Sequence, residues 1–185
     1  MTQHSPLSFR RIVTANAEDG RSYVLSDGPT PHALQSAPGR GLVNFWTTER
    51  SGPDLAADDG ADRPVQLEPP HGGSIFRFFL VAPRSTMTAE EAEAAAAAAF
   101  ANMGASHLRV DTTRHPAMHK SQTLDYIVLL QGSVKLLLDR DERILEPFDV
   151  VIQRGTNHAW INLGDEPALM MGVLMDAPAT PAKDG

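Results

Sequence analysis

Apolar and polar residues alternate in short runs along most of this chain, and a period of two is the pattern of a half-buried β-strand. Ser8 to Thr14 and Ser22 to Leu25 are expected as a first pair of strands across the turn Ala17 to Gly20. Ser26 to His32 carries two prolines and a glycine and is expected to be irregular. Leu42 to Thr47 reads as a strand, and Ser74 to Val81, with three phenylalanines, is the strongest strand of the N-terminal half. Between them Thr48 to Pro70 is polar, acidic and proline-rich, and is expected to be a surface loop.

The period changes once. Thr88 to Met103 predicts the single helix. Thr88 and Glu91 have capping-box spacing, Gly104 stands where a left-handed residue ends a helix, and Ala94 to Ala99 is a run of the best helix former. After Gly104 the alternation returns. Strands are expected at His107 to Asp111, Leu124 to Leu130, Val134 to Asp139, Glu142 to Leu145, Asp149 to Gln153, Ala159 to Asn162 and Ala168 to Met175. Turn residues fall between them, as in a sandwich or barrel. The tail Ala177 to Gly185 is expected to be disordered.

Composition narrows the functional classes. The chain has 185 residues, enough for one domain with a sizeable core, and 42% of them are hydrophobic. The net charge of −7 and the lack of a basic cluster argue against a nucleic-acid partner. No apolar run approaches membrane-spanning length, and the first residues lack the basic and apolar segments of a signal peptide. The absence of cysteine excludes disulfides and thiolate metal sites, and is compatible with a reducing cytoplasm.

The candidate chemistry lies between Arg114 and Asn162. His119, Ser121, Thr123 and Asp125 share one parity, and Ile127 and Leu129 carry that face into an apolar core. His158, Trp160 and Asn162 share a face of a later segment. If the two segments lie side by side, His119, Asp125 and His158 form a two-histidine, one-carboxylate set of the kind that holds non-haem iron or catalytic zinc. Each residue also has a plainer reading. The histidines can be satisfied pocket residues, Asp125 can bind a backbone N–H or an arginine, and Trp160 can be core or pocket wall. His107, Arg109 and Asp111 share a face that is either solvated or, through Arg109, able to hold an anionic substrate.

The spacing of His119, Asp125 and Gly132 resembles the first motif of the cupin superfamily, His-x-His followed by a glutamate and a glycine. Pro147, Gly155, His158 and Asn162 resemble the second. Met118 to Tyr126 and Val151 to Trp160 resemble a group of single-domain bacterial and fungal cupins. The chain departs from the pattern twice: Ser121 stands for the second histidine and Asp125 for the glutamate. The resemblance implies an all-β, jelly-roll barrel with an N-terminal strand extension and one inserted helix. In that division residues 1–105 are the extension and helix, 106–176 the barrel core and 177–185 the tail. It further implies a divalent metal (Fe, Mn, Ni or Zn) on His119, Asp125 and His158, with His119 and His158 catalytic. Ser121, Thr123, Trp160 and Arg109 are then substrate contacts. The expected function is oxygenation, decarboxylation or isomerisation of a small organic acid or ketone, or else non-catalytic binding of a small ligand. A homodimer is expected.

Overall fold

A computed structural model describes residues 7–50, 52, 54–55 and 57–178, so most of the tail expected to be disordered lies outside the described residues. The strands are β1 (Arg10–Asn16), β2 (Ser22–Pro29), β3 (Ala33–Ala37), β4 (Arg40–Thr48), β5 (Ser74–Val81), β6 (Thr123–Gln131), β7 (Val134–Leu138), β8 (Glu142–Leu145), β9 (Val150–Arg154), β10 (His158–Asn162) and β11 (Ala168–Asp176). One helix, α1 (Ala89–Asn102), and a 3-10 turn at Ser106–Leu108 stand between β5 and β6.

A six-stranded sheet in the order β3-β4-β5-β11-β6-β9 faces a three-stranded sheet in the order β10-β7-β8, and every pairing is antiparallel. The N-terminal strands β3 to β5 thus extend the larger sheet. The core sits between the two sheets. Ile127, Leu129 and Met170 from one side meet Val134, Leu136 and Leu145 from the other. Alternation decides which residues these are: along β6, Thr123, Asp125, Ile127 and Leu129 point inward while Tyr126 is exposed. Gly132 lies at φ 96, and a Cβ there would come within 2.8 Å of the Cβ of Ala168, so this turn between β6 and β7 requires glycine.

The first hairpin, β1-β2, forms a separate two-stranded sheet. It docks through Phe9, which meets Phe78 edge-on at 5.1 Å, and through Arg11, whose Nη1 donates to Asp59 at 2.6 Å. Ser26 to Pro29, expected to be irregular, continues β2, because Pro29 falls at the end of an edge strand where its missing N–H breaks no inner ladder. Strand β3 lies where no strand was expected.

Helix α1 has the capping box read from the sequence. Thr88 Oγ1 accepts from the Glu91 N–H at 3.3 Å, and Glu91 Oε2 accepts from the Thr88 N–H at 2.8 Å. Gly104, at φ 68, follows its end. The small side chains of Ala96 and Ala99 let the helix pack closely, and Phe100 is buried with Ala105 and Leu108. His107 to Asp111, expected as a strand, is instead the 3-10 turn and its exit. Leu108 packs on Phe100, His107 Nε2 pairs with Glu68 at 2.9 Å, and Arg109 turns back to Glu93 of α1 at 2.7 Å. These anchors tie the segment to the helix and the long loop, and among the described residues no strand pairs with it.

Candidate functional site

A cavity of about 150 Å³ opens inside the barrel, lined by Leu34, Leu42, Phe79, Phe100, Ile127 and Trp160 among its apolar residues. Its polar wall is made by Arg40, Arg77, His119, Ser121, Asp125 and His158. Helix α1 contributes Ala99 and Phe100, so the inserted helix closes one side.

The two motif histidines meet. Residue 119 forms an isolated β-bridge with residue 158, each N–H donating to the other's carbonyl at 2.9 Å. Their ring centroids are 4.4 Å apart, with Phe100 beyond His119 at 5.0 Å and Trp160 beyond His158 at 5.3 Å. His119 Nδ1 lies 3.0 Å from the carbonyl of Ala117, which accepts its proton. His158 Nδ1 lies 2.9 Å from the carbonyl of Thr156 and 2.9 Å from the amide nitrogen of Gln153. The two amide hydrogens of Gln153 go to the carbonyl and the hydroxyl of Thr156, so Nδ1 of His158 also carries the proton and donates to Thr156. Both rings therefore keep Nε2 as the lone-pair nitrogen. Burial lowers both imidazoles from their usual value, and the neighbouring His119 helps bring His158 down to about 3. Both are neutral at neutral pH.

Asp125 lines the same cavity as this pair. It is 4% exposed, opposite Gln153 in the β6-β9 register, and its Oδ1 has no hydrogen-bond partner. Burial raises its carboxyl to about 6, against the lowering influence of Thr123 and Arg77. His119, Asp125 and His158 line one cavity, but among the described residues no three His, Cys, Asp or Glu side chains are grouped so as to hold a metal. Ser121, at the position of the missing motif histidine, lines the cavity, but its hydroxyl is engaged with Thr123 at 2.7 Å. A catalytic zinc or iron centre takes three protein donors. Two oriented imidazoles with an engaged hydroxyl do not make that set, so the side chains present do not fit a resident metal by themselves.

The remaining expected contacts divide. Trp160 is a cavity wall, and Thr123 is buried behind Ser121. Arg109 does not line the cavity. Its guanidinium is spent on Glu93 and on the carbonyl of Pro116. Arg77 was missed. It lies at an inward position of β5, between Phe76 and Phe78, and is 1% exposed. A cationic residue breaking an aromatic strand on its buried parity was the available signal. Gln153, inward on β9 opposite Asp125, was missed in the same way.

No protein-family model matches the chain. The cupin-domain-containing oxidoreductase virC of Hypocrea virens is 43% identical over 177 residues, covering 91% of this chain and 76% of that protein. The cupin-domain-containing oxidoreductase fogC of Aspergillus ruber is 43% identical over 63 residues, 32% of this chain and 31% of its own. Phomopsin biosynthesis cluster protein C' of Diaporthe leptostromiformis is 46% identical over 63 residues, 32% of this chain and 33% of its own. The chain thus matches about a third of the length of these last two relatives. Among solved structures, a Cupin 2 conserved barrel domain protein from Salinispora arenicola aligns at a TM-score of 0.43 and 15% identity, over 78% of this chain and 82% of that one. The chain belongs to the cupin family. No helix among the described residues is long and apolar enough to cross a membrane.

Proposed function

We propose that this protein is a small-molecule-processing cupin enzyme that acts on a small organic acid or ketone held in the barrel cavity. The observation that carries the reading is a desolvated carboxyl, Asp125, on the wall of the barrel cavity. Its pKa near 6 makes it a proton acceptor suited to neutral pH, and a far stronger base than His158 at about 3. The step that these groups support is proton abstraction from carbon beside a carbonyl. The carbon–hydrogen bond breaks, its electron pair forms an enolate, and Asp125 takes the proton and returns it to the same or the neighbouring carbon. Such a step is redox-neutral and matches the isomerase form of the expected activity. The neutral His119–His158 pair shapes the cavity and offers acceptors to substrate O–H or N–H groups. The names of the relatives virC and fogC support an enzyme on this fold and extend the reading to oxidoreductase chemistry. A cytoplasmic homodimer completes the proposal.

The test is hydrogen exchange. Small ketones and keto acids are incubated with protein in deuterated buffer and followed by NMR. Exchange at the position beside the carbonyl, lost in Asp125→Asn, is the expected result. The second reading, a ligand-binding module without catalysis, is favoured by Ser121 standing where the motif has a histidine. Tight binding of such compounds with no exchange in any of them would move the assignment to it. Elemental analysis of protein purified without added metal decides the metal-dependent form; near one equivalent of Fe, Mn, Ni or Zn would restore it.

A further inference from the structure

The charges on the cavity wall do not balance. Arg77 donates from Nη2 to the carbonyl of Gln66 at 2.6 Å, while its Nε has no hydrogen-bond partner. No carboxylate lies within ion-pair distance of it among the described residues, although Asp125 is near enough to act on it electrostatically. Burial lowers its pKa only to about 10, so it is a cation at neutral pH. Burying a guanidinium with a donor unmet is costly, and such groups persist where a partner arrives. Arg40, from β4, lines the same cavity, is partly buried and has no ion pair among the described residues. With both histidines neutral, Asp125 is the one anion facing these two cations on the wall.

We infer that the cavity binds an apolar monocarboxylic acid, with its carboxylate on Arg77 and Arg40 as the second cation. This names the substrate class of the proposed function and rests on that cavity being a substrate pocket. A planar guanidinium with unused donors matches a carboxylate, which it can hold through two parallel hydrogen bonds. The surplus of one positive charge suits a monoanion and not a phosphate dianion. Leu34, Leu42, Phe79 and Phe100 supply an apolar berth for the rest of the molecule. A cavity of about 150 Å³ is comparable to engineered apolar cavities that take benzene.

The probe pair is benzoate and benzamide, which share a ring and differ in charge. Isothermal titration on the full chain should find benzoate bound at least tenfold more tightly than benzamide. Arg77→Lys keeps the charge and loses the fork, and should weaken benzoate at least fivefold while benzamide is unchanged. Because a lone change at Arg77 can unfold the barrel, Arg77→Met/Asp125→Asn, which removes both buried charges together, is the second variant. It leaves Arg40 in place and loses the guanidinium fork, and should cut the preference for benzoate over benzamide at least fivefold. Equal binding of the two by the parent, or a preference for benzoate that is undiminished in the double variant, overturns the inference and leaves the pocket in place. Failure of the parent to bind either compound at millimolar concentration overturns the pocket reading, and this inference with it.

Discussion

Replacing Asp125 with asparagine should make the protein more stable at about pH 8 and change little at about pH 4. Burial raises this carboxyl from 3.8 to about 6. An acid that holds its proton more tightly in the fold than in the unfolded chain stabilises the fold while it is protonated. That contribution is complete below about pH 3.8 and lost as the pH rises through about 6. At roughly 1.4 kcal/mol for each tenfold change in proton affinity, the ionised carboxylate costs the fold ~3 kcal/mol above neutrality. Asparagine keeps the shape without the charge and behaves as the protonated acid.

Wild-type stability alone does not reveal this, because His158 acts in the opposite sense over the same range. Burial and His119 bring His158 from 6.5 to about 3. Its neutral form supports the fold above pH 6.5, and that support falls away toward pH 3, by at most ~5 kcal/mol. His158 is present in both proteins, so the difference between them isolates the carboxylate. Urea unfolding of parent and variant at steps between about pH 4 and pH 8 gives that difference directly, provided the slopes with urea agree. A variant less stable than the parent at about pH 8, or a difference that does not change with pH, would refute the reasoning. It would also remove the ground for Asp125 as the proton acceptor.

Three further outcomes are expected. Ser121→His should supply a third imidazole beside His119 and His158 and bring Zn²⁺ or Ni²⁺ binding into the micromolar range by calorimetry; no gain over the parent would place residue 121 out of reach of that pair. Arg109→Ala removes the brace from Glu93 to the Pro116 carbonyl and should cost about 1–3 kcal/mol in urea unfolding while leaving benzoate affinity unchanged, since Arg109 does not line the cavity. The hairpin β1-β2 leaves Ile12, Val24 and Leu25 more than half exposed, at 51%, 56% and 57%, which motivates the homodimer; light scattering at micromolar concentration that reads the monomer mass of 20.0 kDa would count against it.

Short-range signals were legible in the sequence, and distances across the barrel were not. The capping box at Thr88 and Glu91 and the turn at Gly132 depend on neighbouring residues, and both stand in the fold. Strand β5 was readable to its ends because its pattern is self-contained. Parity correctly put Ser121, Thr123 and Asp125 on the buried face. It said nothing of how far apart they lie: six residues of fully extended chain would advance roughly 20 Å, yet His119 and Asp125 line one cavity without being grouped to hold a metal. The bridge between residues 119 and 158 joins segments far apart in sequence, and there the motif resemblance supplied what periodicity lacked. Arg109 drew the anion-binding role because its neighbours looked like a strand. The 3-10 turn directs it to Glu93, and Arg77 takes the place at the cavity.

The exchange of a motif histidine for Ser121 and the presence of Arg77 point the same way. A divalent ion near His119 and His158 would find two neutral donors, a hydroxyl already bonded to Thr123, and cations at Arg40 and Arg77 on the same cavity wall. Burial raises the pKa of the single carboxylate on that wall, Asp125, and Arg77 lowers it electrostatically. The engaged serine and the two guanidiniums weaken the hold on a cation, and the guanidiniums strengthen the hold on an anion. The cavity has thus kept the two imidazoles of the cupin pattern while its electrostatics favour the opposite sign of ligand. A carboxylate on Arg77 would supply the unmet donor with an acceptor and leave Asp125, itself without a hydrogen-bond partner on Oδ1, as the base within the same walls.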